Sequence, residues 1–331
     1  MLRYIIRRVL WAIPILIGVS IVSFFIIQLP PGNYLTALMA SMRATGESVD
    51  MSQLQTLSER YGLDEPMIVQ YWKWISGIVL RGDFGQSFLY TRPVSDLLWE
   101  RLGLTFILAF TSMIFVWLIA FPIGVYSAVR KYSIGDYVMT FVGFIGLATP
   151  NFLIALILMY VSFTVFGQSA GGLFSPQYLD APWSWAKFAD MMSKIWIPVV
   201  VIGTAGTAAL IRIMRANMLD ELPKTYVDAA RARGLSGAHA VTKYPLRVAL
   251  NPFVSRIGWE LPELISGATI TAIVLSLPTT GPLLLEALLA QDMYLAGSFI
   301  MMLSVLTVIG TLISDLLLAW LDPRIRQGVV G

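Results

Sequence analysis

TYVDAARARGLSGAHAVTKYPLRVALNP, residues 225–252, is a basic, glycine-punctuated stretch in a chain that is otherwise strongly apolar. Long apolar segments lie on both sides of it. Asp220, Glu221 and Pro223 come just before. Proline suits the first turn of a helix, and acids favour its positive end. Residues 224–233 are rich in Ala and Arg, which are good helix formers. Gly234 then supplies a C′ cap. Ser236 caps a second short helix over 237–243, which Pro245 ends. The stretch therefore predicts two short helices joined by a sharp glycine turn. On the first, Tyr226, Ala229, Ala230 and Arg233 lie close to one side. Two readings fit that surface. One is a helix that fits into a groove on a soluble partner. The other is an amphipathic connector resting on lipid headgroups, its arginines snorkelling.

The surroundings decide where this stretch sits. Of 331 residues, 57% are hydrophobic and 13% charged, with a mean hydropathy of +0.73. Soluble domains run at about 45–50% apolar and about 25% charged. In water, this composition would leave large apolar patches exposed. The chain reads as a polytopic membrane protein. Without cysteine it has neither disulfides nor thiolate metal sites. Its one histidine, His239, reads as a surface helix residue, and a multi-His metal site is excluded.

Crossing a bilayer takes about 20 mostly apolar residues. Six stretches qualify, at about 9–29, 103–129, 137–166, 195–214, 253–277 and 297–320. The first comes after Arg3, Arg7 and Arg8, as in a signal peptide. Its apolar core is longer than the usual ~7–15 residues and no A-x-A site comes after it, so an uncleaved span is expected. Placing the N-terminus in the cytoplasm puts fifteen Lys and Arg inside and eight outside. The outside eight are also spread over longer loops. Six spans return the C-terminal tail, 322–331, to the cytoplasm, and 225–252 becomes a cytoplasmic loop.

The outer loop, 30–102, opens with Pro30-Pro31-Gly32, which stops the first helix. It then predicts helices over 51–61, capped by Ser52, and over 66–80. The second has Ile68, Tyr71, Trp72, Ile75 and Val79 at helical spacing, an apolar stripe that needs a partner surface. The outer ends of the spans and an extracytoplasmic protein both fit. The second outer loop carries Trp183, Trp185 and Trp196, which suit the interfacial belt, with a helix expected over 180–194. Pro122 and Pro150 predict kinks within spans.

Charged residues inside spans are costly and mark candidate pathway positions. Here these are Arg256, Glu260, Glu263 and Asp315. Arg256 and Glu260 are spaced to pair on a helix, and structural pairing fits these residues as well as a polar cavity does. No residue is assigned a catalytic role.

Asp228-Ala229-Ala230-Arg231-Ala232-Arg233-Gly234 resembles the E-A-A-x-x-x-G loop of ABC importer permeases, with Asp in place of Glu. The later Tyr244-Pro245-Leu246 only approximates the family's apolar-Pro ending. The N-terminal block 1–32, the blocks YGLDEPMIVQYWKWISGIVLRGDFGQSF (61–88) and TRPVSDLLWERL (91–102), and DPRIR (322–326) are similar to the first permease subunit of the dipeptide/oligopeptide importer family. A Trp-Pro-Gly-x-Gly element of that family is replaced by Leu277-Pro278-Thr279-Thr280-Gly281, which leaves the substrate open.

The resemblance implies an all-α membrane protein of the type I ABC importer permease fold, with six transmembrane helices, both termini cytoplasmic and a five-span core over 103–321. It implies a multi-pass protein of the bacterial inner membrane that pairs with a second, similar permease as a heterodimer. Two cytoplasmic ATPases would bind ATP and Mg, and an extracytoplasmic solute-binding protein would deliver substrate. Tyr226, Asp228, Ala229, Ala230, Arg233 and Gly234 would form the coupling helix against one ATPase, within a loop of about 215–252. The chain contains no G-x-x-x-x-G-K-[ST] phosphate loop, so any ATP is bound by a partner. Oligopeptides are the expected solute, with oligosaccharides or glycosides as the alternative. A secondary transporter working alone would show inverted repeats, and none is evident. An intramembrane protease would need a motif such as H-E-x-x-H, which is absent. Neither nucleic-acid binding nor a cofactor within this chain is expected.

Overall fold

A computed structural model describes residues 2–29, 65–167, 171–179, 181–251, 253 and 269–321. In chain order the helices are α1 (Leu2–Ile27), α2 (Met67–Arg81), α3 (Val94–Val129), α4 (Ile134–Ala148), α5 (Asn151–Phe166), α6 (Trp185–Lys194) and α7 (Trp196–Glu221). They continue as α8 (Thr225–Ala232), α9 (Gly237–Lys243), α10 (Pro245–Ala249), α11 (Thr269–Val274), α12 (Thr280–Leu289) and α13 (Met293–Leu321). Among the described residues the only β pairing is an isolated bridge between Gln86 and Pro93.

Three helical segments are long and apolar enough to cross a bilayer: Ile6–Ile27, Val94–Val129 and Met293–Leu318. Two bent pairs raise this to at most five among the described residues, if each pair is one span. Ile134–Ala148 and Asn151–Val165 meet at 100°, and Trp196–Thr204 meets Gly206–Glu221 at 49°. The sequence predicts one kinked span over 137–166; the chain turns sharply there instead. Proline disfavours the helical conformation in the residue before it. Thr149 accordingly is extended (φ −90°, ψ 123°), and α5 restarts after Pro150. Pro122, by contrast, lies inside the unbroken α3. That helix starts nine residues before the predicted span, because hydropathy marks apolar stretches while the backbone bonds run on from Val94. Of the fifth predicted span, 253–277, residues 253 and 269–277 are described, with α11 over 269–274; Arg256, Glu260 and Glu263 lie outside the described residues, as does the predicted helix over 51–61.

The chain divides into two compact units. The first holds residues 1–104 and 279–308. Its core joins Phe24 of α1, Trp74 of α2, Leu97 and Leu98 of α3, Leu283 of α12 and Phe299 of α13. On α2, Gln70, Trp74 and Gly77 face inward with half-buried Tyr71 and Ile75 beside them, while Ile68, Trp72 and Val79 are exposed. The predicted apolar stripe is therefore split between a packed side and an open one.

The second unit holds residues 105–278 and 309–331. Its core gathers Val116, Leu210, Met214, Met218, Val241 and Phe253. Helices α4 and α7 approach closely at Gly146, where an added Cβ would meet the Thr204 methyl group at 2.7 Å. Ser184 caps α6, and that helix is tied down by Asp190, which accepts from the Ser175 hydroxyl (2.6 Å) and backbone N–H (2.7 Å). Trp183, Trp185 and Trp196 are exposed, as an interfacial belt requires.

Candidate functional site

The stretch after α7 folds as its local signals dictate, and then goes one helix further. Gly234 takes φ +86°, a left-handed conformation that L side chains rarely adopt. Its N–H donates to Arg231 O (2.9 Å), and the Leu235 N–H donates to Ala230 O (3.3 Å). This is a Schellman ending, which satisfies the last carbonyls of α8. Ser236 Oγ accepts from the His239 N–H (3.4 Å) and starts α9. Pro245 ends α9 and also begins α10, since its missing N–H costs nothing in a first turn.

The inner face of α8 is Val227 and Ala230, both buried. Two further contacts fix the helix to the end of α7. The Tyr226 hydroxyl donates to the Glu221 carboxylate, and Lys224 Nζ lies 2.5 Å from Glu221 Oε1. Burial, then the bond to Glu221, pushes the Tyr226 phenol up to about 12. The Tyr226 and Tyr244 rings lie 6.3 Å apart, bridging α8 to the end of α9.

The outward side consists of Asp228, Ala229, Ala232, Arg233 and Gly234, all exposed. Asp228 and Arg231 form a loose surface pair at 3.6 Å. Of the six residues singled out in the sequence, four are thus on the open face. Ala230 packs inward and Tyr226 is half-buried. A helix with Val227 buried must also bury the residue three further on, and that is Ala230.

One charged contact was not legible in the sequence. Arg215 of α7 donates to both carboxylate oxygens of Asp136 on α4, from Nε (3.0 Å) and Nη2 (2.9 Å). Asp136 also accepts from the Tyr132 N–H (3.0 Å), and its own N–H donates to Ser133 Oγ (3.2 Å). The pair locks α7, six residues before Glu221, to the first turn of the broken α4–α5 pair. Asp315 is half-buried on α13. One G-x-S-x-G string is present, GQSAG at 167–171. Its Gly167 is the left-handed C-cap of α5 (φ 62°), so a helix precedes the string where a nucleophile elbow calls for a strand; residues 168–170 lie outside the described residues. Among the described residues no group of His, Cys, Asp and Glu is arranged to hold a metal ion.

These features define a mostly helical membrane protein that carries a helix–turn–helix insert between apolar segments. Family comparison gives the particular group. Residues 120–327 match the binding-protein-dependent transport system inner membrane component family, and residues 1–109 match its N-terminal membrane component. The chain belongs to this family and is an inner-membrane permease component. It is 37% identical over 328 residues to the oligopeptide transport system permease protein AppB of Bacillus subtilis, covering 98% of this chain and 100% of that protein. It is 31% identical over 343 residues to the dipeptide transport system permease protein DppB of Escherichia coli K12, covering 99% of each. The glutathione transport system permease protein GsiC of Salmonella choleraesuis is 29% identical over 326 residues, covering 98% of this chain and 99% of that protein.

Proposed function

We propose that this chain is one of two permease subunits of an ATP-driven peptide importer, and that α8 is its coupling helix. The observation that carries the reading is the two-sided construction of α8. Its outward side offers small and charged side chains to a partner groove. Its inward side is buried at Val227 and Ala230, and the Glu221–Tyr226 contact ties it to the end of α7. A push on the exposed face is then delivered to α7 as a rigid displacement, and Arg215–Asp136 hands it to α4.

The reading includes six membrane crossings, cytoplasmic termini, a second homologous permease, two ATPases and an extracytoplasmic binding protein. The names of AppB and DppB support peptides as the solute; none of the three named relatives supports an oligosaccharide. Candidate pathway residues remain Arg256, Glu260, Glu263 and Asp315.

The test is co-purification of the ATPase with the detergent-solubilised permease. Ala229→Trp and Arg233→Glu alter the open face and leave the buried contacts alone. Each is expected to cut ATPase retention about tenfold or more, the effect of losing ~1.4 kcal/mol, with unchanged amounts of permease in the membrane. Full retention and full transport in both variants would sink the assignment.

A further inference from the structure

Between α4 and α7 lies a cavity of about 300 Å³ with two chemically different ends. One end is polar and lined by Tyr132, Tyr137, Arg212 and Arg215. The other is an apolar shaft lined by Gly143, Phe144, Leu147 and Ala208. From Tyr137 to Leu147 the cavity as a whole runs along α4 for ten residues, about 15 Å at the helical rise.

The polar end carries uncompensated positive charge. The charge of Asp136 is taken up by the bidentate contact from Arg215. Arg212 is exposed and forms no ion pair among the described residues. Lys131, next to Tyr132 in the chain, is in the same condition, its Nζ 4.6 Å from the centroid of the Tyr132 ring. Tyr132 itself is held at φ +63°, a conformation uncommon for a non-glycine residue and costly for a bulky one. Its N–H bond to Asp136 fixes that backbone and leaves the phenol exposed at the cavity mouth. Strain of this kind persists where surrounding structure enforces it, and it is concentrated at ligand sites.

We propose that this cavity binds an anionic phospholipid, its phosphate held by Arg212 and Lys131 with the Tyr132 and Tyr137 hydroxyls, and one acyl chain lying along the shaft. Basic pockets between membrane helices on the cytoplasmic side select such headgroups. The shaft gives the ligand a tail that a free anion lacks. The unbalanced cations at its head favour a phosphate over the apolar face of a protein helix. Assignment to the inner leaflet rests on the proposed topology; the headgroup preference does not.

The experiment is native mass spectrometry of the full chain, purified with whatever subunits accompany it, against equimolar phosphatidylglycerol and phosphatidylcholine. Phosphatidylglycerol is expected to be retained preferentially. Arg212→Gln and Lys131→Gln should each lower that preference about fivefold, the weight of one cation near an anionic surface. Phe144→Trp, which fills the shaft, should reduce retention of both lipids. Equal retention of the two lipids in the unaltered protein, or a preference untouched by both charge variants, overturns the proposal. Competition by inorganic phosphate with no effect of Phe144→Trp reduces the site to an anion site and overturns the lipid reading. A specific cross-link from a Phe144→Cys variant to another subunit assigns the groove to protein and does the same. Loss of the ATPase from the preparation bears on the coupling helix alone, because the lipid readout does not depend on it.

Discussion

Two buried aspartates, one in each compact unit, solve the same problem differently. Asp136 is 2% exposed and is met by a guanidinium through two short bonds. Asp292, between α12 and α13, is 0% exposed and is met by neutral donors: the Ser87 hydroxyl (2.6 Å), the Leu89 N–H (3.1 Å) and the Leu295 N–H (3.2 Å). A buried charge is expensive unless it is paired or richly hydrogen-bonded. The first arrangement ties two membrane helices together through full charges. The second caps the start of α13 and pins a loop, and burial there outweighs the donors and raises the carboxyl above its ordinary value. The charge at the paired site is balanced by one partner. The neutral site spreads its dependence over several.

The largest expected effect is at the paired site. Arg215→Met leaves Asp136 buried without its cation. Breaking a buried pair from one side costs roughly 3–5 kcal/mol. Arg215 is itself 27% exposed, so the low end, about 3 kcal/mol, is expected in thermal unfolding of the solubilised protein. Adding Asp136→Asn removes the orphaned charge while keeping an acceptor for the Tyr132 N–H, and should recover most of the loss. A single variant as stable as the parent, or a double variant no better than the single one, would dissolve the distinction between the two sites.

That contact also marks the limit of what the chain spells out. Helices α8 and α9 were legible because their signals are local: Pro223, Gly234, Ser236 and Pro245 each act within a few residues. The Asp136–Arg215 pair joins residues 79 apart. In the sequence Arg215 counts only toward membrane orientation, and Asp136 is only the end of a short loop. The break at Thr149-Pro150 was legible as a kink but not as a 100° turn. Proline determines that a helical bond is lost, while packing sets the direction in which α5 departs. The inward placement of Ala230 has the same cause. Helical spacing groups Val227 with Ala230, but only the tertiary contact says which group faces in.

A smaller effect is expected at the neutral site, and it carries a pH signature. With its folded pKa raised, Asp292 binds a proton more readily in the folded than in the unfolded state. Its contribution is complete below the unfolded carboxylate pKa and is lost as pH rises through the folded one. Asp292→Asn should cost about 1–2 kcal/mol at acid pH, since its amide cannot serve all the donors that converge there. It should cost less as pH rises through the folded pKa, where the parent takes on the burden of a buried carboxylate. Melting temperatures of parent and variant measured from pH 7 downward give the answer; a gap that narrows on acidification contradicts the raised value.

Asp190 supplies the smallest effect and the sharpest control. Its donors resemble those of Asp292, a serine hydroxyl and a backbone N–H, both from Ser175. The difference is exposure: Asp190 is only half-buried. Burial still pushes its carboxyl up, but the two Ser175 bonds and the charge of Lys194 outweigh this and hold it below the ordinary value. Stability from Asp190 is therefore present above the unfolded carboxylate pKa and is lost as pH falls through the folded one. Solvent screening keeps the term under about 1 kcal/mol. Asp190→Asn should thus be mildly destabilising near neutrality and converge on the parent in acid, the reverse of Asp292→Asn. If both gaps move the same way with pH, burial is not what separates the two carboxylates, and the donors must be unequal in a way their distances conceal.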